Sequence, residues 1–172
     1  MNEVINAILT RRSYRAFTKE AVKREDVETI LDCALHAASG MGKQTWKFTA
    51  VINRDKIQRL AKAVAKAIGR DESYNMYDPA VLVITSNEKE SKYREVDNAC
   101  AMENMYLASE ALGLGCVWIN QLLGCYDDPE VRSLLREFGI PDEHGVYGCA
   151  AIGYPAETPK EKARIGQKAI VE

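Results

Sequence analysis

A sheet clothed by helices on both faces is the fold that the sequence predicts, on three observations. Strand-like apolar runs alternate along the chain with amphipathic helical stretches, the pattern of layered α and β elements. One run, Ala80 to Thr85 (Ala-Val-Leu-Val-Ile-Thr), is almost continuously apolar, as a strand covered on both faces must be. The 172 residues, 47% of them hydrophobic, suffice for one sizeable core. No linker, repeat or low-complexity stretch divides them, so a single domain over 1–172 is expected. The pattern alone does not say whether the sheet is parallel or mixed.

The elements follow in order. Asn2 can cap a helix over Glu3 to Thr10, with Val4, Ile5, Ile8 and Leu9 on one side. A second helix, Lys23 to Ala38, places Val27, Ile30, Leu31, Ala34 and Ala38 at helical spacing. Its first turn carries Glu25 and Asp26, which suit the positive end of the helix dipole. Phe48 to Ile52 reads as a strand. Lys56 to Ile68 reads as a helix that Gly69 ends. The apolar run at Ala80 is the second strand. Tyr93 to Leu112 is a long helix dotted with Ala99, Ala101, Ala108, Ser109 and Ala111, so it suits either a central core position or a face between two copies. Gly113-Leu114-Gly115 closes it and leads into a strand at Cys116 to Ile119. Asp128-Pro129 opens a helix to about Phe138, with proline well placed in the first turn. Val146 to Ile152 is the fourth strand. After Gly153-Tyr154-Pro155 the chain turns polar and basic, too poor in apolar surface to fold alone. Its end, Ala169-Ile170-Val171, can add a strand to a sheet edge.

Composition narrows the function. A net charge of −2 leaves no broad basic stripe for nucleic acid. No apolar run approaches membrane-spanning length, and the start (Met1-Asn2-Glu3-Val4) lacks a signal-peptide layout, so a cytoplasmic protein with no membrane partner is expected. The five cysteines, Cys33, Cys100, Cys116, Cys125 and Cys149, are widely spaced and never in a CxxC pair. That is neither a zinc site nor a disulfide framework. The two histidines, His36 and His144, have no carboxylate cluster around them, so no metal site is expected.

One cluster stands out. Arg11-Arg12-Ser13-Tyr14-Arg15 sets three guanidinia and a hydroxyl directly after the first helix. Arginine is always charged, and its fork of donors matches phosphates and planar carbonyls. By themselves these residues fit either a solvated basic turn or the site of an anionic, polar-edged ligand.

Two glycine-rich segments invite a nucleotide reading and fail it. Gly40-Met41-Gly42-Lys43-Gln44-Thr45 has Ala37 where a P-loop needs its first glycine, and Gln44 where it needs Ser or Thr. Gly113-Leu114-Gly115 leaves a helix and enters a strand, the reverse of a dinucleotide fingerprint.

Five segments carry a resemblance. They are Arg11 to Phe17, Ala37 to Phe48, Asp78 to Ile84, Ala111 to Ile119, and Ile152-Gly153-Tyr154-Pro155. In this order and spacing the chain resembles the FMN-dependent nitroreductases over nearly its whole length. The resemblance implies an α+β fold, a three-layer α/β/α sandwich with a central mixed, mainly antiparallel sheet. It also implies a homodimer with FMN sites at the subunit interface, and a tail, residues 155–172, that crosses to the partner and adds a strand there.

The same resemblance implies roles. Arg11 would meet the FMN phosphate, with Arg12 at the same turn and Lys162 and Arg164 from the tail. Ser13 would meet the ribityl chain or pyrimidine edge, and Arg15 the N1–O2 end. Ser39, Gly42 and Gln44 match positions that reach FMN from the other subunit. Gly115, Cys116, Trp118 and Asn120 match the segment along the flavin, with the backbone amide of Asn120 a donor to N5. The side chains of Trp46 and Trp118 themselves read as packing. Three departures occur in one loop: Ala38 where the family has Pro, Gly42 where it has Asn, and Thr45 where it has Pro. These should loosen that loop.

The implied activity is that of an oxidoreductase passing hydride from NAD(P)H to a small planar acceptor such as a nitroaromatic, a quinone or a flavin, by a ping-pong order. The flavin carries such chemistry, so no protein nucleophile or general base is needed, which suits a sequence with no triad or carboxylate dyad. Two alternatives remain at this level: an FMN-binding store or sensor without turnover, and a flavin-consuming or dehalogenating relative.

Overall fold

The helix–strand alternation becomes a three-layer structure in a computed structural model that describes residues 2–172. The helices are α1 (Glu3–Thr10), α2 (Arg24–Leu35), α3 (Arg54–Ala67), α4 (Arg94–Ala111) and α5 (Pro129–Glu137). The strands are β1 (Trp46–Val51), β2 (Val81–Glu88), β3 (Gly115–Ile119) and β4 (His144–Gly153). They form one sheet in the order β1-β2-β4-β3, with every neighbouring pair antiparallel. The fold is thus α+β. The expected mixed character reduces, within this chain, to one parallel bridge between Ser13 and Cys116.

Pleating explains the apolar run of β2. Val81 and Val83 join Ile152 on the face covered by α2 and α4, where Val27, Ile30, Ala101, Met102 and Met105 pack. Leu82 and Ile84 turn the other way, toward Ile57, Leu60 and Val64 of α3 and Val131 and Leu135 of α5. Successive strand residues point to opposite faces, so a strand with helices on both sides must be apolar at each position. α4 is therefore a core helix, packed on α2 and the sheet.

Capping sets the ends. Asn2 accepts from the Val4 amide at 2.9 Å, Asn53 from Lys56 at 3.0 Å, and Asp128 from Glu130 at 3.0 Å. α2 stops at Leu35, three residues short of the expected Ala38: His36 leaves helical geometry at φ −85° and ψ 5°, and its ring Nδ1 engages the Asp32 carbonyl at 2.8 Å. The chain then enters a 3₁₀ turn at Gly40–Gly42, which the periodicity did not predict. Gly40 is required there, since a Cβ would lie 2.2 Å from the Tyr93 ring.

Two parts of the chain have little to pack against. α1 buries none of its residues, and Val4, Ile5, Ile8 and Leu9 are 48–63% exposed. Beyond Pro155 the tail forms no helix or strand, and Ile165, Ile170 and Val171 are more than nine-tenths exposed. Among the described residues, no helix is long and apolar enough to cross a membrane.

Candidate functional site

The Arg11–Arg15 segment is stitched between β3 and the tail. The Tyr14 amide donates to the Cys116 carbonyl at 3.1 Å, beside the Ser13–Cys116 bridge. Gly115 permits this approach: a Cβ there would fall 2.7 Å from Cβ and Cγ of Tyr14. A few residues on, Thr18 donates to the Tyr154 carbonyl at 2.9 Å and Ala156 to the Ala16 carbonyl at 3.0 Å. These bonds flank a bridge between Phe17 and Pro155. Both ends of the chain are thereby laid side by side.

Their meeting forms a cleft of about 300 Å³, lined by Arg11, Arg12, Ser13, Arg15, Glu157, Pro159, Lys160, Lys162 and Arg164. Six cations face one carboxylate. Two of the cations are spoken for in part. Arg11 Nε donates to Glu103 Oε1 at 2.9 Å, and its Nη atoms make no hydrogen bond within the described residues. Arg12 Nη1 caps the end of α1 by donating to the carbonyls of Leu9, Thr10 and Arg11, while Nη2 pairs with Glu161 at 3.1 Å. Arg15, Lys160, Lys162 and Arg164 have no acidic partner among the described residues. A dianionic phosphate fits this donor set, since charge-assisted bonds from several cations are what hold such a group.

One face of α4 supports the segment from beneath. Glu103, Tyr106 and Glu110 follow one another at helical spacing. Glu103 holds Arg11. Glu110 accepts from the Thr10 hydroxyl at 3.3 Å. The Tyr106 ring lies under the Arg11 guanidinium, 4.9 Å from centroid to Cζ. Its hydroxyl accepts from the Trp118 amide at 2.7 Å and sits 3.4 Å from Ser13 Oγ. Burial pushes the Tyr106 phenol above its ordinary range, so it stays protonated. Neither Glu103 nor Tyr106 is visible as a site residue in the sequence; a polar stripe on an alanine-rich helix is the only local signal. Lys160 and Glu157 likewise join the cleft from the tail without a local sequence signal.

The remaining sequence candidates are distributed around this centre. Gly115 and Cys116 lie on β3 against the arginine segment. The Cys116 side chain faces the α2–α4 core, and burial pushes its thiol well above the usual range. Trp118 is partly exposed and lies on Gly148, where a Cβ would come within 2.7 Å of its Nε1. Asn120 follows β3 directly and is exposed. Ser39, Gly42 and Gln44 do not line the cationic cleft of their own chain. They sit in the turn before β1, which is held to α4 by the Gly40 amide on Asp97 Oδ1 at 2.8 Å. The turn is conformationally unusual: Met41, Gly42 and Gln44 all have positive φ, at 56°, 65° and 49°.

Known proteins share the sequence pattern and the fold of this chain. Residues 8–154 match the model of the Nitroreductase family. A crystal structure of a Bacteroides fragilis nitroreductase with bound FMN superposes with a TM-score of 0.92 at 38% identity, covering 100% of both chains. A protein of Archaeoglobus fulgidus, named provisionally as an NADH dehydrogenase/NAD(P)H nitroreductase, is 33% identical over 165 residues, 91% of this chain and 88% of that one. An FMN reductase (NADPH) of Bacillus subtilis is 25% identical over 186 residues, covering 99% of this chain and 73% of that one.

Proposed function

The chain belongs to the nitroreductase family, and from that premise we propose that it is an FMN-dependent NAD(P)H oxidoreductase whose cationic cleft holds the cofactor phosphate. The observation that carries this reading is the meeting of Arg11 to Arg15 with Lys160 to Arg164 in one cleft of about 300 Å³. FMN, when bound, supplies a two-electron centre that accepts and returns hydride. The chain's own residues bind and tune it. Arg11, Lys162 and Arg164 neutralise the phosphate. Arg15 stands for the pyrimidine end, where a cation favours negative charge. The Asn120 amide, just past β3, serves as a hydrogen-bond donor to the ring system.

NAD(P)H and the acceptor then use the site in turn, a ping-pong order. A small planar acceptor suits this order, since it must occupy the place the nicotinamide leaves. A nitroaromatic, a quinone or a free flavin meets that condition.

The functional unit we propose is a homodimer. A second copy would cover the bare apolar side of α1, and the tail with Ile165, Ile170 and Val171 would cross to the partner. Ser39, Gly42 and Gln44, away from the cleft of their own chain, would then complete the partner's site.

The test is optical. Purified protein loaded with FMN is yellow, bleaches under anaerobic NADPH or NADH, and recolours on menadione. A yellow protein inert to both nicotinamides would mark a store or sensor. A protein that takes up no FMN would contradict the whole reading.

A further inference from the structure

We infer that Tyr106 is a two-handed positioning residue for the cofactor site, its ring fixing the phosphate-binding arginine and its hydroxyl aiming Ser13 into the cleft. The inference rests on the FMN reading above and goes beyond it, because it assigns separate parts of the cofactor to separate parts of one buried side chain.

The ring has one task. Arg11 has a long, flexible side chain, and ordering such a chain on binding costs entropy. Here the guanidinium is already placed. It lies 4.9 Å above the Tyr106 centroid, and its Nε is held by Glu103 at 2.9 Å. Both Nη groups are left to donate together, which is the fork that matches a phosphate.

The hydroxyl has another. A phenol oxygen both accepts and donates, with one proton to give. The Trp118 amide, at 2.7 Å, has no choice but to donate to it. The phenol proton is thereby free for Ser13 Oγ, 3.4 Å away and long for a hydroxyl pair. In the inferred relay Ser13 Oγ is the acceptor from Tyr106, and its own proton turns outward. Ser13 lines the cleft, so that proton points to an acceptor on the ligand. The polarity runs one way, from the β3 backbone through Tyr106 and Ser13 to the cofactor. Burial keeps the phenol protonated, so the relay holds across the neutral range.

The two tasks separate in binding measurements with FMN and with riboflavin, which lacks the phosphate. Tyr106→Phe keeps the ring and removes the hydroxyl. It should weaken FMN and riboflavin alike, each by roughly five- to tenfold, and leave their ratio unchanged. Ser13→Ala should do the same, and the double variant should be no weaker than either single one, since both break one relay. Tyr106→Leu removes the ring as well and should in addition reduce the preference for FMN over riboflavin. Melting of the apoproteins checks that each variant is folded. If Tyr106→Leu does not fold, the cycle of Tyr106→Phe with Ser13→Ala still decides. Additive losses in that cycle, or a Phe variant that changes the FMN-to-riboflavin ratio, would overturn the inference. A wild-type protein that binds riboflavin as tightly as FMN would instead remove the phosphate reading on which it rests.

Discussion

The Tyr14 amide donates to the Cys116 carbonyl, and this bond ties the arginine-rich segment to the edge strand of the sheet. It is possible only because residue 115, just before Cys116 at the start of β3, has no side chain. A Cβ at Gly115 would stand 2.7 Å from Cβ and Cγ of Tyr14, closer than carbon atoms can pack. Gly115→Ala should therefore lift the segment from β3. Overpacking of this kind costs about 1–3 kcal/mol. Denaturant unfolding would measure the loss, and a fall in FMN affinity should accompany it.

Charge in the cleft should dominate cofactor affinity. Arg11 and Arg164 come from opposite ends of the chain and line the same space. Replacing either with alanine removes a charge-assisted contact worth about 1.5–3 kcal/mol, roughly 10- to 150-fold in affinity. Arg12→Ala should cost less in FMN binding, because its donors cap α1 and pair with Glu161. Titration of the apoproteins with FMN orders the three variants.

The apolar side of α1 offers a clean test of assembly. Ile5 and Ile8 are half exposed in the single chain, so acidic replacements there cost the isolated subunit little. In a dimer that covers them, each would bury a charge. Ile5→Glu with Ile8→Glu should yield a folded monomer by analytical ultracentrifugation, with poor FMN retention. A variant that stays dimeric would separate α1 from the interface.

Stability should fall on mild acidification, and His144 gives the sign. Burial lowers its pKa below the ordinary value of 6.5; Glu143 and Glu88 oppose this, Lys47 and Arg132 add to it, and the net direction is downward. The unfolded chain therefore binds this proton more readily than the folded one. Stability is whole above the unfolded pKa and declines as pH drops through 6.5 toward the depressed folded value. Unfolding free energy measured at pH 7.5 and pH 5.5 should show the decline, and His144→Gln should flatten it. The hydrogen bond of its ring to Ser86, 3.1 Å, is one that glutamine can approximate.

Much of the architecture was legible because its signals are local. The alternating elements follow from periodicity, and the start of α5 from the Asp128 cap with Pro129 in the first turn; the Asn53 cap, which starts α3 two residues before the expected Lys56, is seen only in the structure. The end of α2 is not legible in the sequence, because nothing in Ala37-Ala38 opposes a helix; the close packing of Gly40 on Tyr93 is a contact made only in three dimensions. The antiparallel order β1-β2-β4-β3 is non-local, and no spacing encodes it. The arginine cluster was visible as composition, yet its meaning depended on the tail cations some 150 residues away. Tyr106 and Glu103 were invisible for the same reason: their partners are chosen by packing of α4 against the first helix, not by neighbours in sequence.

The most direct measurement is a crystal structure of the protein grown with FMN. The account predicts the phosphate in the cleft between Arg11 and the Lys162–Arg164 tail, with Ser13 donating to the cofactor and Ser39 or Gln44 of a second copy completing the site. An FMN phosphate bound elsewhere, with the cleft cations turned to solvent, would contradict it.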